Sequence, residues 1–275
     1  MPADLSKPQA SMWAGPGSSG NDWSWAWRHP GHLAIYWDGA GPPWDYKGRV
    51  RASNVTGSTW SPTVRGIGFK RDAAADRIVW ADRSEFQLDG DIEFSVALYI
   101  VIDSYDGSFR GWMSARDAFT DGLWEIYSQS GGEFNFKFDS ALNGVQWPSG
   151  TAPSADGLPH TMVISRKIGG TYELWVDGIS KGTQSSASVP TGTNPHDLAI
   201  ATLATNVSDG IFGTVLASAV WKNFAISDAQ ARQWHRDPFG PFRPAWWESP
   251  VLAPVAEAPP AAGAKGQLTL LGVGS

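Results

Sequence analysis

HTMVISRKIGGTYELWVDGISKG, residues 160–182, is the stretch that decides the fold. Two runs rich in β-branched and aromatic residues, TMVISR (161–166) and TYELWVD (171–177), flank the pair Gly169-Gly170. Asp177-Gly178 then turns the chain into a third run, ISKGTQ. Glycine adopts the positive φ that tight hairpin turns demand, so runs of this kind bounded by Gly-Gly and Asp-Gly read as successive antiparallel strands.

The same signals extend outward. In IEFSVALYIVI (92–102), Ile92, Phe94, Val96, Leu98, Ile100 and Ile102 fall on one face of a long strand. In EFNFKF (133–138) three phenylalanines, Phe134, Phe136 and Phe138, face one way, while Glu133, Asn135 and Lys137 face the other. DLAIATL (197–203) and IFGTVLASAVWKNFAI (211–226) supply further strands. Alternation with one apolar side is what two packed antiparallel sheets require, so the expected fold is an all-β, jelly-roll-like β-sandwich. One short C-terminal helix is signalled by a capping box, with Ser227 as N-cap and Gln230 reaching back to it. It should stop near Arg236, because Asp237 precedes Pro238 and is pushed out of the α region; an extended segment is expected to follow.

Composition divides the chain into a Trp/Gly-rich arm (1–30), the sandwich (31–245) and a Pro/Ala-rich linker with an apolar tail (246–275). The net charge is −6 and no Lys/Arg cluster is present, which argues against nucleic acid as a partner. No 18-residue apolar run argues for membrane insertion. The N-terminal residues lack the pattern of a signal peptide and cysteine is absent, so synthesis in a cytoplasm is expected. Sixteen tryptophans suit a core, an interface or a sugar-stacking platform equally.

The strand order resembles the concanavalin A-like superfamily, particularly its laminin-G-like members, over about residues 31–236. The residues that carry the likeness are HLAIYWDGAGPPWDYKGR (32–49), RGIGFKRDAAADRIVW (65–80), DIEFSVALYIVI (91–102), the L-W-V-D-G run at 174–178, and FGTVLASAVWKNFAISDAQ (212–230). The segment DPFGPFRP (237–244) is similar to the ending of laminin-G-like proteins in tailed-phage structural modules. That resemblance implies a virion protein of the head or tail, made in the host cytoplasm, non-enzymatic and partnered by other virion proteins. It also implies that Asp45 stands where such domains often place a calcium ligand. However, Ala217 occupies the position of a second acidic ligand, so the calcium site is weak. The bland reading of Asp45 is an Asx-turn. No cofactor is expected otherwise. His160 falls at a family position that supports the start of a strand.

Three further groups of residues deserve a role or a dismissal. Tyr105, Trp112 and Trp147, with Asp103, Asp106 and Arg110 as hydrogen-bonding neighbours, are candidates for stacking on cell-surface glycan; Trp124 and Asp121 lie nearby. For each tryptophan, burial in the core or over a sheet edge is the commoner outcome. Asp89, Asp91 and Glu93 are the nearest approach to a glycosidase carboxylate run, although the Asp-Gly step reads better as a turn. Candidates for assembly, including homo-oligomerisation, are Trp23, Trp25, Trp27 and Arg28 in the arm, Phe239, Phe242 and Arg243 after the helix, and Leu268, Leu270 and Leu271 in the tail. The alternative for both ends is that they fold back on their own domain. The rival functions are a free carbohydrate-binding lectin module and a glycan hydrolase.

Overall fold

The computed structural model describes residues 23–36, 43–105, 108–116, 122–138, 143–188, 197–202 and 210–242. Two antiparallel sheets face each other. The larger has ten strands, and its main path runs β15 (Ile179–Ser185), β14 (Thr171–Val176), β13 (Pro159–Lys167), β8 (Phe94–Tyr105), β17 (Ile211–Lys222), β1 (Gly31–Ile35), β2 (Trp44–Asp45) and β3 (Val50–Arg51). The hairpin of β5 (Thr59–Thr63) and β6 (Gly66–Arg71) joins the β17 end that β1 leaves open. The smaller sheet has seven strands: β12 (Asn143–Trp147), β11 (Phe134–Phe138), β10 (Gly122–Gln129), β9 (Phe109–Arg116), β16 (Leu198–Ile200), β7 (Arg77–Trp80) and β4 (Asn54–Thr56).

The turns behave as their residues dictate. Asp177 (φ 53°) and Gly178 (φ 71°) form a two-residue hairpin between the paired Val176 and Ile179. Both central residues are left-handed, which matches the twist of the flanking strands. Gly170 has no room for a side chain, since a Cβ there would lie 2.0 Å from the Ser186 carbonyl oxygen.

Between the sheets lies the main core. It takes Phe94, Val96, Leu98, Ile100 and Ile102 from β8 and Phe134, Phe136 and Phe138 from β11, the faces that alternation assigns. The strand starts at Phe94, two residues later than the apolar run suggests; Ile92 packs on the core from just outside it.

A second apolar layer was not legible in the sequence. Ala97, Tyr99 and Val101, on the other face of β8, are buried beneath two helices and a 3₁₀ turn. Helix α1 (Ser24–Arg28) contributes Trp25 and Ala26, and Trp23 precedes it. Helix α2 (Asp228–Arg236) carries the expected capping box and turns Ala231 and Trp234 inward. The segment after α2 is not extended: Asp237 N–H donates to the Gln233 carbonyl at 3.0 Å, and Gly240–Phe242 forms the 3₁₀ turn. Polar handles lock these pieces together. Trp25 Nε1 donates to Gln233 Oε1 (3.1 Å), Trp27 Nε1 to the Pro241 carbonyl (2.9 Å), Trp221 Nε1 to the Ala26 carbonyl (3.0 Å) and Trp175 Nε1 to Asp228 Oδ1 (3.0 Å). The outer face of the ten-stranded sheet is therefore closed by the chain itself.

Candidate functional site

That closure corrects the assembly candidates. Trp23, Trp25 and Phe242 are buried, and Trp27 and Phe239 are half-buried against the same cluster. The Phe239 ring meets Tyr99 at 5.7 Å and Phe242 meets Tyr46 at 5.3 Å. Tryptophans that looked too many for an arm to bury find their partners about 200 residues away in sequence. Only Arg28 of the arm candidates is exposed. Arg243, Leu268, Leu270 and Leu271 lie outside the described residues, as do Asp106 and Asp121 among the glycan candidates.

The glycan candidates separate. Trp112 and Trp147 belong to the core, with no exposed surface for a sugar to stack on. Trp112 Nε1 donates to Ser128 Oγ (3.2 Å), and Trp147 Nε1 donates to the Gly182 carbonyl (2.9 Å), tying the edge strands of the two sheets together. Trp124 is buried too, its Nε1 on the Phe86 carbonyl (2.7 Å). Tyr105 and Arg110 do come together: the guanidinium sits 4.1 Å from the ring centroid, while the Tyr105 hydroxyl donates to the Pro153 carbonyl (2.7 Å). Asp103 is exposed and pairs with Lys70 at 3.6 Å.

Asp45 is fully buried and its carboxylate is engaged by the chain itself. Its Oδ1 accepts from the backbone N–H groups of Leu33 (2.9 Å) and Lys47 (3.0 Å), the second being the Asx-turn. Its Oδ2 lies 3.0 Å from His32 Nδ1 and pairs with Arg83. Burial alone would raise the Asp45 pKa, but His32, Arg83 and the Leu33 N–H together hold it down to about 2. Burial outweighs Asp45 at His32 and keeps that imidazole's pKa below its ordinary value. His32 Nε2 in turn meets Ser218 Oγ at 2.8 Å, and Ser218 Oγ meets the Tyr36 hydroxyl at 2.9 Å. Ser218, His32 and Asp45 thus stand in the order of a nucleophile, a base and its orienting acid. All three are fully buried, so no substrate reaches the serine in this conformation; the chain of bonds pegs β1 and β2 to β17.

Asp91, the central carboxylate of the weighed glycosidase run, accepts from Arg166 Nη2 (2.7 Å) and the Gly169 N–H (3.0 Å). The Gly169 bond first and Arg166 second lower its pKa. A general acid needs the opposite shift. Asp89 faces Lys222 at 3.7 Å.

What remains is the outer face of the seven-stranded sheet, which helices α1 and α2 do not cover. The strand registers place Asn54, Val79, Ala199, Ser114, Glu125 and Lys137 in one row across it. A second row holds Gly111, Tyr127, Asn135 and Gln146. The Phe109 ring, 44% exposed, leans on Tyr127 edge-on at 5.5 Å. Asn135 is 1% exposed, and its Nδ2 has no hydrogen-bond partner among the described residues. Buried amide donors are nearly always paired, with protein or with ordered water, which makes this one a candidate polar contact. Alternation in EFNFKF already turns Asn135 outward; nothing in the sequence shows that its amide would be buried and idle. Among the described residues no group of three or more His, Cys, Asp and Glu side chains is placed to hold a metal.

The fold and the comparisons agree. The Laminin_G_3 model, described as the concanavalin A-like lectin/glucanases superfamily, matches residues 72–230, more than half of the chain, and the chain belongs to that superfamily. Among curated proteins none matches the sequence. Solved structures of similar architecture include the binding domain of Paraclostridial mosquitocidal protein 1 (TM-score 0.61, 10% identity, 75% of this chain and 52% of that one). Another is Trypanosoma rangeli sialidase (0.55, 14%, 75% and 33%). A third is botulinum neurotoxin type C, whose cell entry depends upon interaction with two ganglioside molecules (0.54, 11%, 75% and 51%). This chain spans between a third and a half of those chains, and at such identities the likeness establishes the fold alone.

Proposed function

We propose that this chain is a non-catalytic glycan-binding module, carried on a phage virion, which takes sugar on the outer face of its seven-stranded sheet. The observation that carries the reading is the juxtaposition of Phe109, Tyr127 and Asn135. An exposed ring offers a flat apolar surface to a pyranose; the Asn135 amide, buried at 1% exposure, would reach a sugar only if its cover moved aside. The opposite face of the sandwich is filled by the chain's own helices, and on this face it is the Phe109 ring, 44% exposed, that a ligand would meet. A ganglioside-dependent toxin and a toxin binding domain of the same architecture support the ligand class by analogy. The non-catalytic reading is supported by the burial of Ser218 and the pairing of Asp91. The virion setting rests on the likeness of DPFGPFRP to phage-module endings. Weak single-site binding suits such a setting, because many copies multiply avidity.

A glycan array probed with the full chain tests the ligand class; absence of binding to any glycan would remove it. Assembly is tested separately by deleting residues 246–275. The proposal expects a folded chain that no longer enters particles, and normal incorporation would remove the tail from assembly.

A further inference from the structure

His160 sits between two carboxylates. Its Nδ1 is 2.8 Å from Asp177 Oδ2 and its Nε2 is 3.1 Å from Asp156 Oδ1. A neutral imidazole can donate from one nitrogen only, so both contacts are hydrogen bonds only when the ring is an imidazolium. The two acids differ in how firmly they are held. Asp177 occupies the β14–β15 turn, where its Oδ1 accepts from the Thr161 N–H (2.9 Å) and its own N–H donates to the Thr161 carbonyl (2.9 Å). Asp156 belongs to the exposed connection between β12 and β13, and its main further bond is a local turn to the Leu158 N–H (2.8 Å). That connection also supplies the Pro153 carbonyl that anchors the Tyr105 hydroxyl, and its Gly157 N–H donates to the Ile102 carbonyl (2.7 Å).

We infer that His160 is a proton-operated latch, which holds the 153–158 connection against the start of β13 when charged and releases Asp156 when neutral. Deprotonation turns the Nε2 or Nδ1 lone pair toward a carboxylate, and the weaker-held acid leaves. Tyr105 then loses the carbonyl that fixes its hydroxyl, and the Arg110 guanidinium stacked on its ring loses its platform. Burial pulls the His160 pKa down, but the bonds to Asp177 and Asp156 outweigh it and the net shift is upward. The other charged groups facing this cluster are His235 and Arg236 of α2, Arg65 of the β5–β6 turn, and Tyr99, Tyr105 and Arg110. His235 donates to or accepts from Thr161 Oγ1 (2.9 Å), and burial lowers its pKa, the opposite direction from that of His160.

A raised folded pKa makes the latch fully closed below the ordinary histidine value of about 6.5 and opens it as pH climbs through the higher folded value. Hydrogen exchange on the full chain between pH 5.5 and 8.5, corrected for intrinsic rates, should show protection of the Gly157 and Leu158 amides falling by roughly tenfold across that rise, the factor that loss of one charge-assisted hydrogen bond supplies. In H160Q the protection should not vary with pH. In D156N, which keeps the histidine, its NMR titration should move down toward the ordinary value. Constant protection in the wild type, or an unmoved titration in D156N, would overturn the latch.

Discussion

Tyr127 of β10 and Asn135 of β11 are direct partners in their antiparallel ladder, on the face turned away from the core, and the Asn135 amide nitrogen is buried without a partner among the described residues. Cross-strand neighbours on one face are the unit from which a sheet builds a surface. Here that surface pairs ring with amide and adds the exposed Phe109 ring beside them.

An idle amide contributes little to folding. Asn135→Ala should therefore change the unfolding free energy by no more than about 1 kcal/mol, because its Nδ2 makes no hydrogen bond that the change would remove. Chemical denaturation of both proteins checks this. A loss of several kcal/mol would mean that Asn135 is structural.

The buried Asp45 peg makes the opposite demand. Removing one partner strands His32 and Arg83, so Asp45→Ala should cost about 3–5 kcal/mol. The pH dependence follows from a carboxyl held at about 2 instead of 3.8. Its folded pKa is depressed, so its contribution of roughly 2–3 kcal/mol is present above pH 4 and fades as pH falls toward 2. Denaturant midpoints between pH 2 and 5 should slope steeply in the wild type and less in Asp45→Asn.

The N-terminal tryptophans act as a cover. Deleting residues 1–28 uncovers Trp221, whose ring meets Trp25 at 5.4 Å and whose Nε1 donates to the Ala26 carbonyl. The truncated chain should lose stability and bind a hydrophobic dye, and Trp25→Ala alone should cost about 3–5 kcal/mol. If the truncation instead left thermal stability intact, the segment would not be part of the domain.

Much of the fold was legible in the residues themselves. Period-two alternation found β8 and β11, Asp177-Gly178 found its hairpin, and Ser227 with Gln230 found α2. The second layer was hidden because Ala97, Tyr99 and Val101 fill the gaps of an already apolar run, where two buried faces look like one strong signal. Helix α1 is only five residues long, and what holds it is remote: Trp25 bonds Gln233, 208 positions on. Short segments of that kind have no local propensity to betray them. The candidate site was half legible. Sequence turned Asn135 outward and set Tyr105 near Arg110. It could not show that Trp112 and Trp147 point into the core, because a β-bulge in the β9–β10 pairing near Trp112 and an edge-to-edge bond at Trp147 are tertiary facts.

The assignment of this face is tested by calorimetric titration of an array-selected oligosaccharide into the wild type, Phe109→Ala and Asn135→Ala. Loss of the stacking ring or the amide hydrogen bond, each worth about 1 kcal/mol, should weaken binding by roughly fivefold or more while both variants stay folded. Unchanged affinity in both variants would contradict the assignment of this face.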